Sequence, residues 1–166
     1  MTRRYVVPAL AVGLALIAGC ARSPAEEKGP AVLTRSLADV ENATRTHLTE
    51  ALAMVDQGEP DPAAPQIGPA PCDGPDDGRF HVTGFTHVTL PAEQHRAVLT
   101  RLRGQVEAGG YQVVGARDLA GDTGGELRLR TADDFSVNWA SSGDRVWLAL
   151  TVMSPCVLPP DGKYPG

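Results

Sequence analysis

The sequence lacks a hydrophobic run long enough to span a membrane and lacks the common catalytic motifs. The apolar stretch at residues 6–16 falls short of the ~20 residues that a transmembrane helix needs. GxSxG, HExxH and GxGxxG motifs and a phosphate-binding glycine loop are also missing from the sequence. We therefore expect no simple transmembrane helix, no enzyme of these motif classes and no cofactor.

The first 20 residues have the layout of an export signal. Arg3 and Arg4 precede the apolar stretch, and the small residues Ala18 and Gly19 precede Cys20. This segment resembles the lipobox signal peptide of bacterial lipoproteins. The resemblance implies that residues 1–19 are removed, that Cys20 carries a lipid, and that the protein is anchored on the extracytoplasmic side of the cell membrane. Residues 2–7 also resemble a twin-arginine motif, so the export route stays open.

The charge of the mature chain argues against two classes of partner. Cleavage removes two arginines and no acidic residue, so 13 basic residues face 20 acidic residues and the net charge is −7. A net acidic domain is a poor ligand for nucleic acid and for anionic lipid headgroups. We expect the lipid on Cys20, rather than a basic patch, to hold the protein at the membrane.

Three cysteines leave one pair once Cys20 is lipidated. Cys72 and Cys156 would then lie in an oxidising compartment, and an even pair there predicts a disulfide. Two free buried thiols are the alternative. A metal site is less favoured, because neither cysteine belongs to a CxxC motif or has a histidine cluster nearby in the sequence.

Composition divides the mature chain into five segments: a tether (20–34), a helix (35–57), a proline-rich linker (58–78), a core domain (79–157) and a C-terminal tail (158–166). Ser36 and Asp39 predict the helix start, and Gly58 predicts its end. The linker contains six prolines and no periodicity, so we expect it to be extended. Its acidic residues Asp73, Asp76 and Asp77 do not have EF-hand spacing, and we expect turn chemistry there.

The core is predicted to be α+β, with one helix between the first and second of five strands. Phe80, Val82, Val88 and Leu90 share one face of the first strand by alternation. Pro91 predicts the start of the helix, and Gly109 its end. The buried stripe of that helix is predicted to contain His95, Val98, Leu99, Leu102 and Val106.

Side chains alternate between the two faces along a strand, and cross-strand partners point to the same face. This alternation then predicts how the last three strands pair. A three-residue turn at 132–134 and a two-residue turn at 142–143 satisfy this rule. The inward pairs are predicted to be Leu129–Val137–Leu148 and Leu127–Trp139–Val146. The outward pairs are predicted to be Arg128–Asn138–Trp147 and Arg130–Ser136–Ala149.

The disulfide places the start of the first strand beside the end of the fifth. The predicted fold is therefore a five-stranded antiparallel sheet of order 2-3-4-5-1, with a crossover helix on one face. The N-terminal helix either joins that layer or covers the other face.

The outward face of this sheet is the candidate partner-binding site. Arginine and aromatic residues are typical interface anchors, and the face is predicted to carry Arg128, Arg130, Asn138, Trp147, Phe85 and His87. Scattered surface residues, or a face covered by the N-terminal helix, are the plainer interpretations. Full burial of Trp147 would exclude a binding face. His81 and His87 share a strand face at a separation of about 20 Å, too far apart to hold one metal ion.

We expect a non-catalytic, lipid-anchored binding or accessory protein that meets an envelope protein or polymer. A carrier of lipids or small molecules is the first alternative, and it needs an apolar cavity of several hundred Å³. An enzyme with an unrecognised site is the second. Partner, biological process and oligomeric state are beyond the sequence.

Overall fold

A computed structural model describes residues 33–74, 77–119 and 124–165. Cys20, the signal segment and nearly all of the tether lie outside these residues. The described chain is α+β, with two helices and an antiparallel sheet of seven strands. Neither described helix combines the length and apolar character that crossing a membrane requires.

Helix α1 spans Leu37–Ala53 and begins where the cap signal predicts. The Ser36 hydroxyl oxygen accepts a hydrogen bond from the Asp39 backbone N–H at 3.2 Å, and it donates to the Asp39 carboxylate at 2.6 Å. The predicted end at residue 57 is wrong, because the helix stops at Ala53. Gly58 instead adopts a left-handed φ of +86°, where a Cβ would lie 2.6 Å from the Thr89 carbonyl oxygen.

The segment predicted as an extended linker contains two strands, β1 (Glu59–Pro60) and β2 (Gln66–Pro71). Both pair antiparallel with β3 (Phe80–Thr89), so the sheet has seven strands rather than five. Proline cannot donate a ladder hydrogen bond but is tolerated at a sheet edge, which is where β1 and β2 lie. Proline content alone therefore misled the prediction.

The rest of the core follows the predicted order. After β3 come α2 (Ala92–Ala108), β4 (Gln112–Asp118), β5 (Gly125–Arg130), β6 (Ser136–Ser141) and β7 (Trp147–Met153). The sheet order β4-β5-β6-β7-β3 is the predicted 2-3-4-5-1 arrangement, extended by β1 and β2. The predicted disulfide joins Cys72, which follows β2, to Cys156, which follows β7, with a Cα–Cα distance of 6.2 Å.

The register predicted for the last three strands is right for one hairpin and wrong for the other. The β5–β6 register is confirmed, with Leu127 opposite Trp139 and Leu129 opposite Val137. The predicted turn at 142–143 is wrong, because the chain loops through residues 142–146 and pairs Trp139 with Leu150. Val146, predicted to be inward, is 51% exposed.

Both helices pack on the same face of the sheet. A Cβ on inward-facing Gly84 would lie 2.5 Å from Leu48 of α1. One apolar cluster joins Leu48 to the predicted α2 stripe and to the inward residues of β5, β6 and β7. The N-terminal helix therefore joins the crossover-helix layer. The opposite face of the sheet is left without a helix within the described residues.

Candidate functional site

Three of the predicted outward residues form an aromatic wall at one side of the open face. Phe85 and His87 come from β3, and Trp147 begins the neighbouring strand β7. The Phe85 and Trp147 ring centroids are 6.0 Å apart with an edge-to-face angle of 83°, and the His87 centroid is 5.0 Å from that of Trp147. Trp147 is half-buried, so the condition that would have excluded a binding face is not met.

Asp61 extends this wall, although no pattern in the sequence predicted its position. The Asp61 backbone N–H donates to the His87 carbonyl oxygen at 3.0 Å, and its carboxylate lies 3.1 Å from Nδ1 of His87. Asp61 directly follows β1, in the segment that was predicted to be an extended linker. Only the pairing of β1 with β3 brings Asp61 beside His87.

A charged wall faces the aromatic wall from β5. It consists of Glu126, Arg128 and Arg130. The Glu126 carboxylate lies 2.9 Å from Nη2 of Arg117 and 3.5 Å from Nε of Arg128. Arg130 lies 3.4 Å from the Asp134 carboxylate. With Arg117 and Asp134 included, three guanidinium groups share two carboxylates. The charged wall and its partners therefore carry a small excess of positive charge.

Small and polar side chains of β6 and β7 form the floor between the two walls. The residues are Ser136, Asn138 and Ala140 of β6 and Ala149 and Thr151 of β7, all half-buried. Their registers place Arg128, Asn138, Thr151 and Phe85 in one row across four strands. Three strand spacings make the wall-to-wall distance about 14 Å. We call the floor and its two walls the trough.

The register error at β7 changes the predicted outward pairs. Arg128 does pair with Asn138, but the third member of the row is Thr151, and Met153 replaces Ala149 beside Ser136. The predicted residues therefore share one face, but Trp147 belongs to the aromatic wall rather than to the Arg128–Asn138 row.

Asn138 has an unmet hydrogen-bonding capacity at the centre of the floor. Its Oδ1 atom is enclosed, and no partner reaches it among the described residues. An acceptor in this state costs about 1–3 kcal/mol. A hydroxyl or N–H donor brought by a bound molecule could relieve this penalty after a small side-chain rotation.

A second polar cluster ties α1 to the turn between β5 and β6. His47 Nε2 lies 3.2 Å from Asp133 Oδ2, and the Thr131 hydroxyl donates to the same carboxylate at 2.6 Å. Although partial burial opposes it, the hydrogen bonds from Thr131 and His47 lower the pKa of Asp133. Burial, together with the charges of Glu50 and Asp133, raises the pKa of Tyr111. His47 Nδ1 lies 3.5 Å from the Glu50 carboxylate, so both ring nitrogens face carboxylates and we assign the cluster a structural role.

His95 belongs to the buried stripe of α2, as predicted, and is fully buried. Its Nε2 lies 3.1 Å from the Leu90 carbonyl oxygen, so Nε2 is the donor and Nδ1 is left to accept the Ser141 hydroxyl at 3.1 Å. Ser141 in turn accepts the Gly125 backbone N–H at 3.1 Å. The hydrogen bonds satisfy the imidazole and connect α2 to β5 and β6.

Two groups of described residues have side chains that could bind a metal ion: the acidic loop before β3 and the cysteine pair with its neighbouring histidine. Arg79 pairs with the carboxylates of Asp73 and Asp77, as expected for turn chemistry. Among the described residues, the group with metal-binding spacing is Cys72, His81 and Cys156. Both sulfurs are committed to the disulfide, and the ligand form of cysteine is the thiolate.

The carrier alternative requires a cavity, and a large depression among the described residues is open to solvent. It has a volume of about 620 Å³ and is lined in part by Leu90, Gln94, Arg145 and Val146. It lies at the end of the sheet beside the start of α2. Its lining is mostly apolar, with Glu59 and Arg145 as its charged members. Its openness to solvent, rather than its polarity, distinguishes it from the enclosed pocket that buries most of a ligand.

Comparisons with known proteins leave the function open. No protein-family model matches the chain, and no curated protein matches it. Among solved structures, the chain is similar to a DUF4853 family protein from Actinomyces odontolyticus, with 15% identity, 75% of this chain and 70% of that chain covered, and a TM-score of 0.48. A likeness at this level carries no argument about function.

Proposed function

We propose that this chain is a non-catalytic, lipid-anchored binding protein of the cell envelope that holds a hydroxyl-rich polysaccharide in the trough. The observation that carries the proposal is the composition of the open face. An aromatic wall and a charged wall stand on either side of a floor of small polar side chains. Neither described helix packs on this face.

A polysaccharide suits the trough better than a protein partner does. The apolar C–H face of a sugar ring can pack on the Trp147 or Phe85 ring, and its hydroxyl groups can pair with the floor amide and hydroxyls of Asn138, Ser136 and Thr151. A stable protein interface usually has an apolar centre that is depleted of charge. The centre of this trough is polar and its far wall is charged.

Two further features support the extracytoplasmic part of the proposal. The Cys72–Cys156 disulfide is the kind of bond that persists in an oxidising compartment. A lipid on Cys20 and a tether of about 15 residues would keep the domain within about 20 Å of the membrane surface. The trough would then meet polymers that lie close to the bilayer.

Co-sedimentation with purified, insoluble cell-wall polysaccharide tests the binding site. Trp147→Ala removes the main ring of the aromatic wall and should weaken binding by about 30-fold, the loss expected for a central aromatic anchor. Arg128→Ala tests the opposite wall. Arg103→Ala is its matched control, because the two arginine side chains are 57% and 55% exposed and Arg103 lies on α2.

The outcomes are distinguishable. Weaker sedimentation of Trp147→Ala and Arg128→Ala, with Arg103→Ala unchanged and melting temperatures preserved, would support the trough. Equal sedimentation of all four proteins would refute it. If the native chain does not sediment with polysaccharide but crosslinks to a protein through the trough, the proposed polysaccharide ligand is wrong.

The anchor has a separate test. Intact-mass analysis of the native product should show a diacylglycerol on Cys20 and an N-terminus at that residue. Cys20→Ala should release the protein from the membrane fraction and remove its crosslinks to envelope neighbours. Unmodified Cys20 would contradict the anchor. A lipid that co-purifies with the native protein in stoichiometric amount would favour the carrier alternative instead.

A further inference from the structure

The disulfide lies beside a histidine at the opposite end of β3 from the aromatic wall. His81 projects from the open face, and its Nδ1 lies 3.8 Å from Sγ of Cys72. Cys156 is exposed, whereas Cys72 and His81 are half-buried. The two cysteines of the cystine therefore differ in exposure as residues, and their sulfurs differ in hydrogen bonding.

The proton in the His81–Cys72 contact can be assigned from chemistry. A disulfide sulfur carries no hydrogen and can only accept, so a hydrogen bond in this contact has Nδ1–H of His81 as its donor. The same N–H would stabilise a thiolate at Cys72 more strongly, because hydrogen bonds to charged acceptors are stronger than those to neutral ones. A neighbouring imidazole also favours the thiolate form of a cysteine.

The polar groups of Arg79 and Tyr164, which lie near the disulfide, already have partners. Arg79, whose carbonyl oxygen accepts the Cys72 backbone N–H, directs its guanidinium group to the carboxylates of Asp73 and Asp77. The C-terminal tail contributes Tyr164, which donates its hydroxyl to the Pro69 carbonyl oxygen at 3.4 Å. His81 is therefore the group positioned to act on Cys72.

We propose that the cystine is an exchangeable disulfide and that Cys156 is a site of S-thiolation by small-molecule thiols. The thiolate of the incoming compound attacks Sγ of Cys156 and forms a new S–S bond there. The Cys72–Cys156 bond breaks, and its electron pair leaves on Sγ of Cys72 as a thiolate that His81 stabilises. One disulfide and one thiolate are consumed, and one disulfide and one thiolate are formed.

This regiochemistry follows from the asymmetry of the site. Exchange is faster when the attacked sulfur is accessible and when the departing thiol has a low pKa. Cys156 is the more exposed of the two cysteines, and Cys72 provides the stabilised leaving group. The inference does not depend on what the trough binds.

The experiment uses oxidised full-length chain with Cys20→Ala, so that only the cystine sulfurs can exchange. Reduced glutathione is added, free thiols are trapped with N-ethylmaleimide at short times, and peptides are analysed by mass spectrometry. We expect glutathione on Cys156 and maleimide on Cys72. Glutathione mainly on Cys72, or equally on both, would overturn the proposal.

A variant separates the role of His81 from a structural one. His81→Ala should slow formation of the mixed disulfide by about 3-fold or more, because the leaving thiol loses its stabilising donor. Loss of structure would instead expose the bond and accelerate exchange. Thr83→Ala shortens the next outward side chain of β3 and should leave the rate unchanged. A rate for His81→Ala equal to or above that of the native residue would refute the assignment.

Discussion

Gly84→Ala tests whether α1 packs over the sheet face opposite the trough. Gly84 lies in β3 directly under α1, and a Cβ there would be 2.5 Å from Leu48 Cδ1 and 2.9 Å from Thr44 Cγ2. Ordinary carbon–carbon contacts are about 3.5–4.0 Å, so α1 or its side chains must move. Overpacking of this kind lowers the free energy of unfolding by about 1–3 kcal/mol.

Gly68→Ala is the matched control for this substitution. Gly68 also lies in a strand paired with β3, but a Cβ there meets nothing within 4 Å. Neither glycine has a positive φ, so both substitutions carry the same stabilising effect of about 0.4–1 kcal/mol through the unfolded chain. Gly68→Ala should therefore raise the free energy of unfolding slightly, while Gly84→Ala lowers it.

Urea unfolding of a double-mutant cycle completes the test. Leu48→Ala alone should lower the free energy of unfolding by about 2–5 kcal/mol. Adding Gly84→Ala to it should cost less than in the native background, because the removed Leu48 side chain makes room for the new methyl group. Equal midpoints for Gly84→Ala and Gly68→Ala, at unchanged m-values, would refute the packing of α1 on this face.

Two further predictions concern α1 and its contact with the sheet. Asp133→Asn should lower the free energy of unfolding at neutral pH, because Thr131 and His47 stabilise the carboxylate and hold its pKa below the ordinary value. The difference from the native residue should persist above about pH 4 and fade as the pH drops through the folded-state pKa, so a constant difference down to pH 2 would contradict it. Ser36→Ala removes the cap that accepts the Asp39 N–H and should lower the free energy of unfolding by about 1 kcal/mol in the same urea assay, and no loss would contradict the cap.

Local signals predicted their structures well because the interactions that decide them are near in sequence. The cap at Ser36 joins residues three positions apart. The turn at 132–134 is closed by Thr131 and Phe135, with Asp134 at a φ of 66°, so its length set the β5–β6 register. The predicted α2 stripe is also the buried set of that helix.

The β6–β7 register was wrong because alternation determines a face and not a position along a strand. Moving β7 by an even number of residues keeps every inward side chain inward. The actual loop is longer because the Ser142 hydroxyl oxygen accepts the backbone N–H groups of Val146 and Trp147, and because Arg145 takes a φ of 61°. Neither feature has a distinctive signature in the sequence.

By itself, the sequence determined the resemblance of its first 20 residues to a lipoprotein signal, the pairing of Cys72 with Cys156, and the order of the five core strands. Each depends on residue types, on the alternation of side chains along a strand, or on a covalent bond between two cysteines, and all of these can be inferred from the order of residues. The tertiary structure alone decided that α1 lies on the inward face, that Asp61 meets His87 and that His81 meets Cys72. The last two contacts arise because a proline-rich segment pairs with β3 at the sheet edge. Long-range packing, including that of α1, leaves no local pattern in the sequence.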